Sequence, residues 1–260
     1  MEITEKEFWE NYWGNIELPK VIDMGFKNDR VVANSMLNNL PKSENYSLNA
    51  LEIGCAPGRW MEFVYRKLNY RIDGFEYLET ASKKTSENLL LCNVPQKHFK
   101  VVTEDFLVVE PNEKYDLVMS FGFIEHFDNY KEIFEKHLKY TKKDGYTVVG
   151  MPNFRGLNYY VQLLIDKISG SKMIENHNID MMDKNKMLQM IKETGQELIY
   201  IDYIGGFEFA LFNMNDIKNP LMRISVKLMN KFFSYIFYST KKRYLASYMI
   251  FITKNSKGNY

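Results

Sequence analysis

The sequence predicts an α/β protein built on a doubly wound, mostly parallel sheet, and three observations lead to this fold class. Short apolar runs alternate along the chain with longer amphipathic segments. A glycine-rich turn follows the first of the apolar runs. No internal repeat, low-complexity tract or Gly/Ser linker interrupts the 260 residues. Strands that alternate with helices of about 10 to 15 residues form βαβ units, and these units give parallel sheets.

The elements follow from the period of the apolar residues. Five short apolar runs predict strands over 50–53, 71–75, 99–102, 115–121 and 146–151, and the amphipathic segments between them predict helices over 60–68, 80–91 and 130–140. Helices are also expected over 4–13, 19–40 and near 183–194. Two later runs, 198–204 and 248–253, predict the final strands, and the roughly forty residues between them are too many for a plain hairpin.

The composition indicates one folded domain over residues 1–260. Hydrophobic residues make up 45% of the chain and the net charge is only +1, so the chain can bury a core and is not disordered. Cys55 and Cys92 are the only cysteines and form no CxxC pair, which disfavours a disulfide framework and a structural zinc site. No signal peptide and no uncharged run of about 20 apolar residues is apparent. We therefore expect a cytoplasmic protein.

The turn after the first predicted strand carries the strongest functional signal. It reads Glu52-Ile-Gly54-Cys-Ala56-Pro-Gly58. A glycine-rich turn between a strand and a helix lets backbone amides and the helix N-terminus approach a ligand closely. A dinucleotide fingerprint starting at Gly54 would need glycines at positions 56 and 59, where the chain has Ala56 and Arg59. The spacing therefore disfavours a NAD-dependent reductase.

Acidic or polar residues also end the next three predicted strands. Glu76 and Tyr77 end the second strand, and Glu76 lies 24 residues beyond the acid that opens the glycine turn. Nucleotide-binding α/β folds place a carboxylate for ribose hydroxyls at about this spacing. Asp105 and Phe106 follow the third strand, and the fourth runs into the segment Ser120-Phe-Gly-Phe-Ile-Glu125-His126.

Taken in order, these four motifs resemble those of class I S-adenosylmethionine (SAM) dependent methyltransferases. The first motif of that family is an acid followed by GxGxG, and Ala56 stands here in place of the middle glycine. The resemblance implies a seven-stranded Rossmann-like sheet with helical insertions and SAM as the cofactor. It implies that Asp105 accepts from the adenine amino group and that Phe106 flanks the ring. The residues expected to bind SAM are Glu52, Gly54, Ala56, Gly58, Glu76, Tyr77, Asp105, Phe106 and Ser120.

Methyl transfer to a hydroxyl needs positioning and a base. Glu125 and His126 are candidates because they end the fourth strand. The stretch that begins at Met151-Pro-Asn153 and leads to His177 resembles a subset of bacterial methyltransferases that act on small molecules or surface sugars, in which a histidine after a PN motif lies near the acceptor. We expect His177 to be the base ahead of His126, with a structural role as the alternative for each histidine.

The pair Glu125-His126 is also similar to the motif of metal-dependent relatives of the ubiquinone O-methyltransferase type. Those proteins carry another glutamate three residues before the first, and that position is Gly122 here. Two adjacent ligands without a third are poor material for a metal site. No metal is therefore expected.

The ends of the chain and the insertions are expected to complete the site. Residues 1–45 predict an N-terminal helical lid in which Trp9 and Trp13 share a face, with docking of this helix on the core as the alternative. Residues 152–182 and 206–243 predict insertions that shape the acceptor site.

The C-terminal part of the chain is strongly basic. No acidic residue follows Asp216, and nine basic residues do. Within 220–238 an apolar stripe and a row of basic residues occupy different faces of a predicted helix. The stripe could pack on the sheet, or the helix could contact an anionic membrane or receive a phosphorylated or lipid-linked substrate. The stripe consists of Leu221, Ile224, Leu228, Phe232 and Tyr235, and the basic row of Arg223, Lys227 and Lys231.

We expect a SAM-dependent O-methyltransferase for a small-molecule acceptor, with the hydroxyl of a saccharide or lipid-linked glycan as the first choice. An anionic acceptor and peripheral contact with a membrane surface fit the basic tail. The alternatives are an RNA methyltransferase that uses the tail and a non-catalytic SAM-binding scaffold. Nucleic acid is disfavoured because no RNA-binding motif accompanies the tail. The acceptor atom and the oligomeric state stay open.

Overall fold

A computed structural model describes residues 6–14, 16–207, 216–237 and 241–258 of the chain. Its centre is a single seven-stranded sheet. The strands are β1 (Asn49–Ile53), β2 (Arg71–Glu76), β3 (Phe99–Thr103), β4 (Tyr115–Phe121), β5 (Thr141–Pro152), β6 (Glu197–Ile204) and β7 (Tyr248–Lys254). Their order in the sheet is β3-β2-β1-β4-β5-β7-β6.

All strand pairs from β3 to β5 are parallel, whereas β7 runs antiparallel to both of its neighbours, β5 and β6. The predicted doubly wound, mostly parallel sheet is confirmed. Because β6 is antiparallel to β7, it runs in the same direction as β5. The carboxyl ends of β1 to β6 therefore meet at one edge of the sheet, which is where open α/β sheets bind ligands.

Eight α-helices are described, and two of them begin at a residue whose side chain accepts from one of their first N–H groups. They are α1 (Lys6–Gly14), α2 (Lys27–Asn39), α3 (Arg59–Leu68), α4 (Glu79–Leu91), α5 (Tyr130–Tyr140), α6 (Leu157–Ser169), α7 (Lys184–Glu193) and α8 (Pro220–Ile236). The Asp183 carboxylate accepts from the Asn185 N–H at the start of α7. Asn219 caps α8 in the same way, and Pro220 occupies its first turn.

The helix predicted over 19–40 is confirmed only in its second part, because α2 begins at Lys27. Asp23 forms a turn instead. Its side chain accepts from the Gly25 N–H at 2.7 Å and its carbonyl accepts from the Phe26 N–H at 2.9 Å. A side chain that bonds to the backbone two residues ahead offers an alternative to the helix, which the apolar period does not reveal. Of the helix predicted over 4–13, the first two residues lie outside the described residues.

The core lies on both faces of the sheet. Helices α2, α3 and α4 cover one face with side chains that include Met36, Phe63 and Leu89. Helices α5 and α7 cover the other face with side chains that include Phe134 and Met187. Strands that are buried on both faces of a parallel sheet consist of nearly continuous apolar runs, and such runs are easily recognised in a sequence.

The two predicted insertions contain α6 and α8, and residues 208–215 and 238–240 of the second lie outside the described residues. Of the alternatives for the apolar stripe of the second insertion, packing on the sheet is excluded. Helix α8 docks through Val226, which joins Ile165 of α6 and Ile217 in a small buried cluster. The stripe lies on another face and is exposed. Among the described helices, none is long and apolar enough to cross a bilayer.

Candidate active site

The turn between β1 and α3 is a tight cradle of backbone. Gly54 and Gly58 have φ angles of 65° and 86°, a region that side chains other than glycine rarely adopt. A Cβ atom at Gly54 would lie 2.8 Å from the Phe123 ring, and one at Gly58 would lie 3.0 Å from the Thr85 methyl group. Both the conformation and the space require glycine. The turn therefore ends with the N–H groups of the first turn of α3 at the carboxyl edge of the sheet.

Two buried carboxylates flank this turn. Glu76, at the end of β2, accepts from the Leu78 N–H at 3.1 Å, and burial raises its pKa to about 7. Glu52, at the end of β1, is also buried, and its Oε2 atom has no hydrogen-bond partner among the described residues. Burial raises the pKa of Glu52 well above its ordinary value. An unpartnered buried acceptor is costly unless a ligand satisfies it.

The residues after β3 occupy two environments. Asp105 is exposed at the carboxyl edge, where its side chain accepts from the Leu107 N–H at 2.8 Å. Phe106 is buried, and its ring contacts the rings of Phe123 and Tyr140. Asp105 thus lies at the edge where the cofactor is expected, whereas the described contacts of Phe106 are those of a core residue.

The side chain of Ser120 does not face the carboxyl edge. Its hydroxyl lies 3.0 Å from Nε2 of His137 on α5, inside the core. The other ring nitrogen of His137 lies 2.7 Å from the Ile133 carbonyl, which can only accept. Nε2 of His137 is therefore the acceptor, and Ser120 donates to it. Strand alternation directs the Ser120 side chain into the α5 face of the sheet, so the predicted role of Ser120 in binding the cofactor is left to its backbone.

The three candidate bases lie together. Glu125 and His126 form a short 3-10 turn just beyond β4, and His177 comes from the insertion after β5. One ligand atom from each lies within 4.8 Å of the others, and all three residues are buried. The centroids of the two imidazole rings are 4.4 Å apart. Sequence reasoning named all three residues but did not predict that they meet.

Backbone carbonyls fix the tautomers of both histidines. Nδ1 of His126 lies 2.8 Å from the Asn176 carbonyl, and Nδ1 of His177 lies 2.6 Å from the Met173 carbonyl. A carbonyl oxygen only accepts, so each Nδ1 carries the proton. The lone pair of each neutral ring is therefore on Nε2, as a general base or a metal ligand requires.

Burial keeps the cluster uncharged near neutral pH. It lowers the pKa of His126 to about 3 and that of His177 to about 4, and it raises the pKa of Glu125 to about 8. The N–H groups of Phe123 and Glu125 only partly offset the effect on the Glu125 carboxyl group. Neither Glu125 oxygen reaches a hydrogen-bond partner among the described residues. Clusters of buried titratable groups at the carboxyl edge of such a sheet are typical of functional sites.

The insertion is fixed to the end of β4 by backbone contacts. The Asn178 N–H donates to the Glu125 carbonyl at 2.7 Å, and the Asn178 side chain donates to the Phe127 carbonyl at 3.1 Å. The buried Asp166 carboxylate holds the preceding turn, because it accepts from the side chains of Gln162 and Ser171 and from a backbone N–H. Asp166 therefore positions the segment that carries His177.

The structure supplies the third potential metal ligand that the sequence lacked. The sequence predicted no third ligand beside Glu125 and His126. That prediction is wrong, because His177 lies next to them. Atoms bound to one cation at about 2.2 Å lie at most about 4.4 Å apart, so the cluster would need to contract slightly. A side chain at Gly122 would start 3.9 Å from the Glu125 carboxylate, and glycine offers no ligand there.

Helix α1 spans the carboxyl edge. The centroids of the Trp9 and His126 rings are 4.9 Å apart. Lys6 Nζ lies 5.8 Å from the centre of the ring of Tyr77, which directly follows β2. Lys84 on α4 donates to the Gly14 carbonyl at the end of α1. The described contacts of α1 thus reach from the cofactor side of the edge to the histidine cluster.

Two residues near the site were missed by sequence reasoning. The Arg59 side chain pairs with the buried Asp29 of α2. It is close enough to Glu52 and Tyr248 to lower the pKa of each group against the effect of burial. Tyr248 is the first residue of β7. Burial raises the pKa of its hydroxyl well above the ordinary value, and the carboxyl groups of Glu125 and Glu52 raise this pKa further. Only the antiparallel entry of β7 beside β5 brings Tyr248 here, and no local motif signals it.

A family model matches the sequence, and solved structures share the fold. The family described as "Methyltransferase domain" matches residues 27–201, and no curated protein matches the sequence. The fold is similar to that of geranyl diphosphate C-methyltransferase from Streptomyces coelicolor A3(2), crystallised with Mg²⁺, geranyl diphosphate and S-adenosyl-L-homocysteine. The identity is 12% and the TM-score 0.59, over 96% of this chain and 97% of that chain.

A SAM-dependent methyltransferase from Thiobacillus denitrificans, crystallised with S-adenosyl-L-homocysteine, has 11% identity and a TM-score of 0.57 over 96% of this chain and 98% of that chain. At these identities the likeness concerns the fold. The glycine cradle and the orphaned carboxylate oxygen of Glu52 fit the cofactor that the family uses. Because the family match covers well over half of the sequence, the chain belongs to the methyltransferase domain family and is a SAM-dependent methyltransferase.

Proposed function

We propose that the protein methylates a hydroxyl group of a small-molecule acceptor, a saccharide or a lipid-linked glycan, with His177 as the general base. The observation that carries this proposal is the buried cluster of Glu125, His126 and His177 beside the glycine cradle. When SAM is bound, it supplies the methyl group, which is activated because it is carried on a sulfonium. The residues of the chain need to orient the acceptor and remove its proton.

His177 suits the proton transfer because its Nε2 lone pair is available at neutral pH. The Met173 carbonyl fixes the tautomer, and the lowered pKa keeps the ring uncharged. The same lowered pKa makes the ring a weak base, so the proton transfer needs a nearby negative charge. As the acceptor oxygen attacks the methyl carbon, its proton passes to Nε2. An ionised Glu125 within 4.8 Å then stabilises the imidazolium, so the rate should rise with pH up to a plateau above about 8.

The cofactor residues in this proposal are the cradle and the acids beside it. Glu76 accepts from the ribose hydroxyls, and Asp105 accepts from the adenine amino group. Residues 1–45 act as a lid, and residues 152–182 and 206–243 shape the acceptor site within a single domain. The contacts of Trp9 and Lys6 across the edge support the lid. A cytoplasmic location, in keeping with the two free cysteines, is part of the proposal.

The test is methyl incorporation from radiolabelled SAM into a panel of sugar nucleotides, free saccharides and lipid-linked saccharides. The expected result is labelled product from a hydroxyl-bearing acceptor, with a pH profile that loses its alkaline rise in Glu125→Gln. Labelled RNA instead would support the RNA methyltransferase, and its binding should weaken as a power of salt concentration. If S-adenosylhomocysteine raised the melting temperature but no acceptor in the panel were methylated, the scaffold alternative would stand.

The acceptor atom is tested in the same assay. The similar fold of a geranyl diphosphate C-methyltransferase makes a carbon acceptor a specific alternative. Mass spectrometry of the labelled product distinguishes a methyl ether from a new C–C bond. A methylated carbon would contradict the assignment of His177 as the base for a hydroxyl.

A metal-independent reaction is also part of the proposal. Treatment with EDTA should leave the rate within about twofold, and Mn²⁺ should give no bound signal by electron paramagnetic resonance. The matched variants are His177→Ala and Glu125→Gln. A bound Mn²⁺ signal that both variants abolish would instead assign the three residues to a cation site, since neutral imidazoles and carboxylates are common ligands.

A further inference from the structure

Helix α8 contacts the rest of the protein through a narrow face. Val226 is its one buried residue among the described side chains of the helix, and it packs in the cluster with Ile165 and Ile217. Seven residues later, the Phe233 ring lies 5.5 Å from the ring of Phe207, which follows β6. Residues seven apart lie on the same face of a helix, so Val226 and Phe233 define the docked face.

The opposite face of α8 is apolar and exposed. Its stripe repeats at spacings of three, four and seven residues, which places it on one side of the helix. Leu221 is 76% exposed and Tyr235 84%, and the others are each more than half exposed. The stripe consists of Leu221, Ile224, Leu228, Phe232 and Tyr235. A contiguous exposed stripe of this kind marks an interaction surface rather than ordinary surface scatter.

Positive charge flanks the stripe. Lys227 and Lys231 are exposed and lie four residues apart beside it. No acidic residue occurs in α8 or anywhere after it. The charge pattern therefore selects an anionic partner, and the apolar stripe selects one with a hydrocarbon interior just below the charged layer.

Helix α6 also has exposed apolar side chains. Tyr160, Leu163 and Leu164 are exposed, and Lys167 follows on the same side of the helix. The only acid of α6, Asp166, is buried and fully engaged in hydrogen bonds. The two helices are in contact through the cluster that contains Val226.

Both helices follow strands that end at the carboxyl edge. Helix α6 follows β5, and the segment before α8 follows β6. The α6 insertion also carries His177 to the site. The exposed apolar surface is therefore attached to the same edge of the sheet as the site.

We propose that α8 and the exposed face of α6 lie on an anionic membrane surface and hold the carboxyl edge against it, where the acceptor head group is found. We call this surface the α6–α8 face. The proposal deepens the proposed function by naming the source of the acceptor, and its biological meaning rests on that function. Its test does not, because membrane binding is measured without SAM or acceptor.

The test is co-sedimentation of the full-length protein with vesicles of phosphatidylcholine, with or without phosphatidylglycerol. Binding is expected to be at least about tenfold stronger with the anionic lipid and to weaken at high salt. The double variants Leu228→Glu/Phe232→Glu and Lys227→Glu/Lys231→Glu should each reduce binding by about tenfold or more. The milder Lys227→Gln/Lys231→Gln serves if the charge reversals alter the melting temperature.

The matched control is Leu90→Glu/Leu91→Glu on α4, which changes two leucines that are also more than half exposed but lie on another surface. It should bind vesicles like the wild type, and so should His177→Ala. Equal binding to both vesicle types, or none, would overturn the proposal. So would a concentration-dependent dimer that Leu228→Glu/Phe232→Glu dissociates in the absence of vesicle binding, since the face would then be a protein interface.

RNA added as a competitor is the remaining arm. If RNA bound through Lys227 and Lys231 while the apolar variant had no effect on any binding, the α6–α8 face would be a nucleic-acid surface and the proposal would be wrong. If vesicles bind as expected but no saccharide is methylated, the proposed function fails and the membrane surface stands.

Discussion

The two halves of the carboxyl edge differ in the groups that line them, which are backbone atoms in one half and side chains in the other. Beside β1 and β2, the groove is backbone: Gly54 and Gly58 hold left-handed conformations and leave no space for a side chain. Beside β4 and β5, the site is made of side chains that converge from segments about fifty residues apart, Glu125 and His126 on one and His177 on the other. The first half is specified by conformation, and the second by long-range contacts.

This difference shows how one fold keeps a methyl donor while its acceptors vary. The backbone cradle presents N–H groups whose identity does not depend on side chains, but it has no space for a Cβ atom at Gly54 or Gly58. The side-chain cluster depends on the insertion that contains His177, so a different insertion would change the cluster and leave the cradle unaltered. Substitutions in the two halves should therefore separate cofactor binding from methyl transfer.

The largest expected effect is that of His177→Ala on the acceptor half. Loss of a general base should reduce the methyl-transfer rate by about 10² to 10⁴-fold, while the Kd for S-adenosylhomocysteine changes less than about twofold. The measurements are initial rates with the acceptor found in the panel and calorimetry with the product cofactor. His98→Ala is the control, because His98 precedes β3 at the opposite edge of the sheet. Equal losses of binding and rate would break the separation of the two halves.

Gly58→Val tests the cofactor half. Its Cβ would start 3.0 Å from the Thr85 methyl group in a left-handed conformation that costs a branched residue about 1–2 kcal/mol before any clash. We expect S-adenosylhomocysteine to bind about 100-fold more weakly by calorimetry. Gly170→Val is the matched control, since its φ is also positive, at 81°, but nothing lies within 4 Å of the added Cβ. If Gly170→Val weakened S-adenosylhomocysteine binding as much as Gly58→Val, the loss would come from a general effect of valine in a left-handed conformation and not from the space at Gly58.

The pH dependence of cofactor binding sharpens the comparison further. The pKa of Glu76 is raised to about 7 by burial, so its carboxylate is ionised above this pH and protonated below it. Only the ionised form accepts from both ribose hydroxyls. S-adenosylhomocysteine should therefore bind about tenfold more weakly at pH 6 than at pH 8. Glu76→Gln should give a weak affinity that does not change over this range, and a wild-type affinity that falls with rising pH would contradict the assignment.

Asp166→Asn should have the smallest effect, and it should fall on the acceptor half alone. The amide keeps the size but replaces one acceptor with a donor, so at least one of three hydrogen bonds is lost. A loss of about 1–2 kcal/mol in unfolding free energy is expected by denaturant titration. The rate should fall several-fold with cofactor affinity unchanged, and Asp166→Ala should fall further. Unchanged rates in both variants would remove Asp166 as a positioning residue.

Sequence and structure agree where local rules apply and differ where they do not. Helix α2 starts later than its apolar period predicts because Asp23 bonds to its own backbone ahead. The buried Ser120 hydroxyl finds its hydrogen-bond acceptor in His137, on the next helix, and the strand pattern does not identify that partner. The stripe on α8 faces away from the sheet because Val226 provides a smaller docked face. In each case the deciding partner is one that a periodic pattern does not include.

The sequence by itself determined the sheet, the glycine cradle and the acids at successive strand ends. Apolar period, glycine spacing and strand-end position are properties of neighbouring residues, and a parallel sheet collects its carboxyl ends at one edge. Only the tertiary structure decided that His177 completes a cluster with Glu125 and His126, that Tyr248 enters from β7, and which face of α8 is covered. These depend on contacts between distant segments, whose free energy comes from burial and hydrogen bonding across the fold and is not encoded in any local pattern.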